Sequence, residues 1–328
     1  MRIALGLALC AAACGKSSTK HSSDHGGSGG SDSKAVLRDE PKVPPPAPVV
    51  KPNTVGDCKT EYAPRPTRDP NPMCKIAGGT FTMGDDNERM AATVSPYYID
   101  QLEVTAAQVA HYLNATGGRD ACTHDPKLDD TCFFLGTDAD FSVANFRYLA
   151  KKEGRYVVAP GYEHYPFVDA TRSAAANYCV WAGKQLPTEA QWEFAARHDP
   201  KTNKDLVYPW GDTFDPTRAR CGHELCPGPP GAGPVAVGTY DGTNGHGDGR
   251  SPWGVLDMAG NASEHVVGCY NDYHPCDGPC VDPPGEPARK GQSCGGIVRG
   301  GAAEPKAEWL TTSVRETSPK MTGFRCVR

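Results

Sequence analysis

The stretch YCVWAGKQLPTEAQWEFAAR (178–197) decides how the rest of the chain is read. Thr188 is followed three residues later by Gln191, with Pro187 just ahead: a T-x-x-Q capping box, whose hydroxyl and amide satisfy two backbone N–H groups that the start of a helix leaves open. Trp192, Ala195 and Ala196 then fall at i, i+3 and i+4 and form one apolar face. A helix therefore begins after Thr188. Working outward, the alanine-rich run Arg172–Trp181 predicts a second helix, and AAQVAHYLN (106–114) a third, with Val109, Tyr112 and Leu113 on one face. GGTFTMGD (78–85) and SPYYIDQLEVT (95–105) read as strands, the second ending in Thr105, a residue suited to cap the helix after it.

The chain has 328 residues, 34 Lys+Arg against 39 Asp+Glu and a formal net charge of −5, which leaves no basic excess to hold a nucleic-acid backbone. Its 37 glycines and 30 prolines predict much irregular, turn-rich structure. No apolar run reaches the ~18–20 residues of a membrane-spanning helix, and no internal repeat is evident.

Residues 1–14, MRIALGLALCAAAC, place one arginine before a short apolar stretch, the form of a secretory signal. Cys14 follows Ala11, Ala12 and Ala13 and resembles a bacterial lipoprotein processing site, the alternative being plain cleavage after Ala13. Residues 15–73 read as a disordered tether. GKSSTKHSSDHGGSGGSDSK (15–34) is Gly/Ser-rich and PKVPPPAPVVKP (41–52) a polyproline II spacer, so neither can bury a core. The folded domain is placed at 74–328, and the localisation expected is the cell envelope, lipid-anchored at the outer membrane or in the periplasm, or else secreted.

Setting Cys10 and Cys14 aside, the remaining cysteines of an exported chain are expected in disulfides. Short separations favour Cys122 with Cys132, Cys221 with Cys226, Cys58 with Cys74, and some pairing among Cys269, Cys276, Cys280 and Cys294. Neither CGHELC (221–226) nor CDGPC (276–280) has the doubled CxxC spacing of a strong zinc site.

The 178–197 stretch resembles the central signature of the formylglycine-generating enzyme, or sulfatase-modifying factor, family. GGTFTMGD (78–85), IDQLEVT (99–105), YPWGD (208–212), WGVLDMAGNASEH (253–265), VRGGA (298–302) and GFRCVR (323–328) follow in family order. The resemblance implies an irregular α/β (α+β) fold, C-type-lectin-related, compact, with short helices, small sheets and long loops.

Enzymes of that family oxidise a substrate cysteine to formylglycine with Cu(I) held between two cysteines, just upstream of the terminal GFRC. Aligning Arg315 with the family's arginine puts Ala307 and Thr312 at those positions, and no cysteine stands between Cys294 and Cys326. Copper needs soft thiolates there, so the resemblance implies a domain without the family's catalytic pair. Cys221 and Cys226 keep a five-residue spacing but lie far away in sequence. No HExxH, nucleophile elbow or P-loop occurs among the scattered histidines and serines. Asp129–Asp130 and Asp138/Asp140 are read as solvated loop acids.

The resemblance also implies a structural Ca²⁺ site at Asp257, Gly260, Ala262 and Glu264, two carboxylates and two carbonyls. Ser263 and His265 replace tryptophans common in the family. A second calcium site is expected to be lost at Arg220, and a long-range disulfide is implied between Cys179 and Cys326. The function expected is therefore a lipid-anchored, sulfatase-modifying-factor-like pseudoenzyme that binds a peptide, glycan or envelope protein, or serves in envelope assembly. The alternative is an oxidoreductase or other enzyme with relocated chemistry. Loops 115–165 and 213–252, with Tyr156, Tyr162 and Tyr165, are the expected contact surface.

Overall fold

The computed structural model describes residues 56–85, 89–122, 132–136, 141, 146–222, 224–226, 233–269, 280–284, 296–302, 306–317 and 321–328. The signal, Cys14, most of the tether, the paired loop aspartates and Cys276 and Cys294 lie outside these residues.

The folded domain begins ahead of residue 74. Strand β1 (Cys58–Lys59) pairs antiparallel with β2 (Met73–Ile76), and Cys58 is bonded to Cys74 across that pair. A proline-containing segment there is held by two neighbouring strands, which composition alone does not reveal. β3 (Gly79–Met83) and β4 (Met90–Val94) form an antiparallel pair, and β5 (Tyr97–Asp100) returns to β2. The second predicted strand stops at Asp100 rather than 105. Past it the backbone leaves the sheet, and Val104 N–H donates to Phe324 O.

Helix α1 (Ala106–Thr116) starts on a capping box between Thr105 and Gln108 and ends at Gly117, whose φ of 71° is the left-handed conformation glycine adopts most readily. β6 (Ala121–Cys122) and β7 (Phe133–Phe134) pair in parallel, and β8 (Leu149–Lys152) and β9 (Arg155–Val158) form a hairpin. α2 (Arg172–Trp181) is capped by Thr171. α3 (Glu189–Arg197) carries the Thr188/Gln191 capping box, with Trp192, Ala195 and Ala196 fully buried. β10 (His198–Asp199) and β11 (Lys204–Asp205) close a short hairpin. β12 (Ser263–Cys269) is central to a sheet with β14 (Gly296–Arg299), antiparallel, and β15 (Thr322–Gly323), parallel, while β13 (Cys280–Val281) pairs with β4.

Two large apolar clusters result. One packs α1 and α2 around Phe133, Phe167 and Phe324. The other packs α3 between the β3–β4 pair and β12, with Phe81 meeting Phe194 edge-on at 5.2 Å. The first is closed by the Cys179–Cys326 bond, which ties α2 to the C-terminal segment over a separation of 147 residues. Cys122–Cys132 and Cys221–Cys226 are also joined.

Candidate functional site

Helix α3 organises the segment that runs from β14 toward β15. Its Glu189 takes Arg315 in a two-point pair, Nε to Oε1 at 2.6 Å and Nη2 to Oε2 at 3.1 Å. Its Glu193, one turn on, takes Arg299, whose Nη1 also donates to Ser313 O and Val314 O at 2.7 and 2.9 Å. Planar guanidinium forks fix geometry as well as charge, so segment 311–316 is held in register on the helix.

That register fixes the two positions where the resemblance puts copper-binding thiols. Ala307 opens a single 3₁₀ turn, and its carbonyl accepts a hydrogen bond from the Tyr208 hydroxyl at 3.3 Å. Thr312 is fully buried. Its N–H donates to Val207 O at 2.9 Å, and its hydroxyl lies 3.0 and 3.1 Å from Leu206 O and Val207 O. A threonine hydroxyl spent on backbone carbonyls stitches two loops together, with no soft donor for a metal.

Sequence distance hides a neighbour of this place. Cys221 and Cys226, both buried, share a small apolar cluster with Tyr208, Leu310 and Ala259. The five-residue cysteine pair therefore sits beside the turn that begins at Ala307.

The four residues implied as calcium ligands are brought together on the turn into β12, around an arginine. Both oxygens of Glu264 face Arg325, with Nη2 to Oε1 at 2.6 Å and Nε to Oε2 at 2.7 Å, and Trp192 Nε1 donates to Oε2 at 2.8 Å. Arg325 further donates to the carbonyls of Asp100, Gln101 and Leu256. Asp257 Oδ2 accepts the Gly238 N–H at 2.6 Å, and burial pushes its carboxyl up to about 6. Glu103 accepts Ala262 N–H and Asn261 Nδ2. Burial, with Asp257 and Glu264 adding repulsion, raises its carboxyl well above the ordinary range.

Both Glu264 oxygens already meet the guanidinium, whose single positive charge serves three gathered carboxyls, so a Ca²⁺ at these four positions would have to share Glu264 with Arg325. Among the described residues no cluster of three His, Cys, Asp or Glu side chains is placed to hold a metal. Arg220, where a second calcium ligand is expected to be lost, is buried, and its Nε donates to Gly233 O at 2.8 Å.

The two loops expected to carry recognition do meet, through Val237 N–H to His164 O at 2.9 Å. Of the tyrosines named there, Tyr156 is a core residue. Tyr162 and Tyr165 pack on each other and on buried Tyr148, so part of their ring surface is taken up by the domain's own packing. Composition missed two features. One is the buried triad in which Lys184 Nζ binds Asp69 at 2.8 Å and Asp100 at 2.5 Å. The other is a cleft of about 260 Å³ beside Trp210. The YPWGD motif was the available signal for the second.

The model of the sulfatase-modifying factor enzyme 1-like domain matches residues 59–328. The formylglycine-generating enzyme of Streptomyces coelicolor is 29% identical over 303 residues, covering 80% of this chain and 90% of that one. An inactive Cα-formylglycine-generating enzyme 2 of Bos taurus is 29% identical over 166 residues, covering 44% of this chain and 54% of that one. In three dimensions the chain is similar to PvdO from Pseudomonas aeruginosa, with a TM-score of 0.53 and 21% identity over 79% of this chain and 94% of that one, a likeness of fold. The irregular α+β architecture, the motif order and the matched span together place this chain in the sulfatase-modifying factor enzyme 1-like domain family.

Proposed function

We propose that this chain is an exported protein, anchored by lipid on Cys14, whose family domain binds a ligand at the cell envelope instead of oxidising cysteine. The observation that carries the reading is Thr312, buried and hydrogen-bonded to Leu206 and Val207 at a position where the family's chemistry requires a thiolate. Ala307, the other position, contributes only its carbonyl. The scaffold that would present a ligand is intact: the α3 ion pairs, the Arg325 cluster and the Cys179–Cys326 bond all hold loops in place. The relatives include both enzymes and a protein described as inactive, so membership alone does not decide activity.

A second reading has one observation in its favour. Cys221 and Cys226 pack with Tyr208 and Leu310 next to the turn at Ala307, so that reduction of their bond would place two thiols close to the family's catalytic position. A Cu(I) titration of the mildly reduced full chain, with differential alkylation read by mass spectrometry, separates the two. The binding reading expects no cysteine pair to be shielded by stoichiometric metal. Selective shielding of Cys221 and Cys226 establishes relocated chemistry.

A further inference from the structure

The cleft beside Trp210 has the chemistry of a sugar site, and we infer that it binds one pyranose unit of a neutral glycan. The inference rests on the binding reading above and names its ligand class.

Trp210 is half-buried and lines the cleft. Its ring stacks on buried Tyr208, with centroids 5.6 Å apart and planes 10° from parallel, and its Nε1 donates to Thr213 O at 3.2 Å. The ring is thus braced on one side and offers a rigid apolar wall, a partner for the C–H face of a sugar at little entropic cost. The volume of about 260 Å³ lies below the roughly 300–1,000 Å³ of pockets for drug-sized ligands, which suits a single ring.

The polar wall is charged but internally balanced. Arg218 Nε is bound by Asp215 at 2.9 Å, and its Nη1 donates to Asp248 O at 3.0 Å. Arg250 Nη1 is bound by Asp248 Oδ2 at 2.9 Å, and Nη2 donates to Asp241 O at 2.6 Å. Each guanidinium is neutralised in place, and the other charged lining residues, Asp199 and Lys201, carry opposite signs, so the wall has little net charge left to capture an ion. What it offers is fixed donors and acceptors. The Asp248 side chain is 41% exposed, with carboxylate lone pairs free to accept hydroxyls. Arg250 is only 6% exposed, and its Nε–H is buried without a protein partner. A pyranose supplies both hydroxyl donors and hydroxyl acceptors around an apolar face.

The test uses the full chain, with methyl glycosides of glucose, galactose, mannose and N-acetylglucosamine as probes, followed by saturation-transfer NMR and tryptophan fluorescence. At least one glycoside should saturate with a dissociation constant on the order of 1 mM. Trp210→Ala should weaken it tenfold or more, and Trp210→Phe should retain part of the binding. The proposal is overturned if no glycoside saturates at about a hundred times that concentration, if binding is unchanged in Trp210→Ala, or if acetate or a cysteine-containing peptide fills the cleft while the glycosides do not. Such a failure leaves the non-catalytic reading standing. That reading falls to cysteine oxidation by the chain or to selective shielding of Cys221 and Cys226 by copper.

Discussion

Removing the charge of Arg325 should destabilise the domain more than any substitution on its surface. Arg325 and Glu264 are both fully buried, and the pair is bidentate. Replacement by methionine leaves Glu264 beside Asp257 and Glu103, two carboxyls whose values burial has already raised. Three acids would then share a dry site without a cation. Breaking a buried pair from one side costs about 3–5 kcal/mol, and the three carbonyls that lose Arg325 donors add to it. At about 2–4 °C per kcal/mol for a domain of this size, Arg325→Met should lower the thermal midpoint by roughly 6–20 °C. Arg325→Lys keeps the charge but not the fork and should cost less than half as much. Pairing Arg325→Met with Glu264→Gln should recover about 0.5–3 kcal/mol relative to the sum of the single changes. The assay is urea unfolding with and without millimolar Ca²⁺ or EGTA. A cost under about 1 kcal/mol for Arg325→Met, or a wild-type midpoint that rises with calcium and falls with chelator, would refute the reasoning that a guanidinium and not a metal neutralises this cluster.

Other perturbations follow from the same contacts. Cys179→Ala with Cys326→Ala opens a loop with a 147-residue separation and should cost about 5 kcal/mol in the chain-entropy model; a midpoint unchanged in urea would show that the bond contributes nothing to stability. His265, with Nε2 2.8 Å from Ala170 O, is pushed down to about 4 by burial from an ordinary 6.5. The unfolded chain therefore takes up a proton below about pH 6.5 that the fold refuses, and His265 subtracts stability as pH falls toward 4. His265→Asn should gain about 3 kcal/mol relative to wild type between pH 7 and pH 4, and a difference independent of pH would contradict the burial argument. Asp100, pushed up to about 7 by burial, acts with the opposite sign. It withholds stability increasingly from about pH 4 to 7, so Asp100→Asn should flatten that limb; if the limb keeps its slope, Asp100 is not its source. Radiolabelled fatty acid should be incorporated by the full chain in a bacterial host and lost in Cys14→Ser, and equal labelling of both would remove the anchor.

Local signals were readable from sequence because their causes are local. Thr188 and Gln191 sit three residues apart and cap α3. Arg172–Trp181 is helical where its alanines predict it, and the short cysteine separations 122/132 and 221/226 are bridged. The Cys179–Cys326 bond was accessible only through the family resemblance, since nothing near either residue specifies a partner 147 positions away. Arg325 with Glu264, Arg299 with Glu193 and Arg315 with Glu189 escaped the sequence for the same reason: these ion pairs depend on how β12, α3 and β14 stack. The proximity of Cys221 and Cys226 to Leu310 was hidden by sequence distance. The cleft at Trp210 needs Arg250 and Asp248 from a loop whose composition reads as featureless glycine and aspartate.

The claim that this family member binds without oxidising is met most directly by an activity measurement. The reduced full chain, loaded with Cu(I) in air, is incubated with a cysteine-containing sulfatase-type peptide, and the product is read by aldehyde-reactive labelling and mass. The account predicts that the peptide's cysteine remains a thiol, because Ala307 and Thr312 offer no thiolate. Formation of formylglycine above the rate with copper alone would contradict it, and loss of that activity in Cys221→Ala would locate the chemistry in the neighbouring pair.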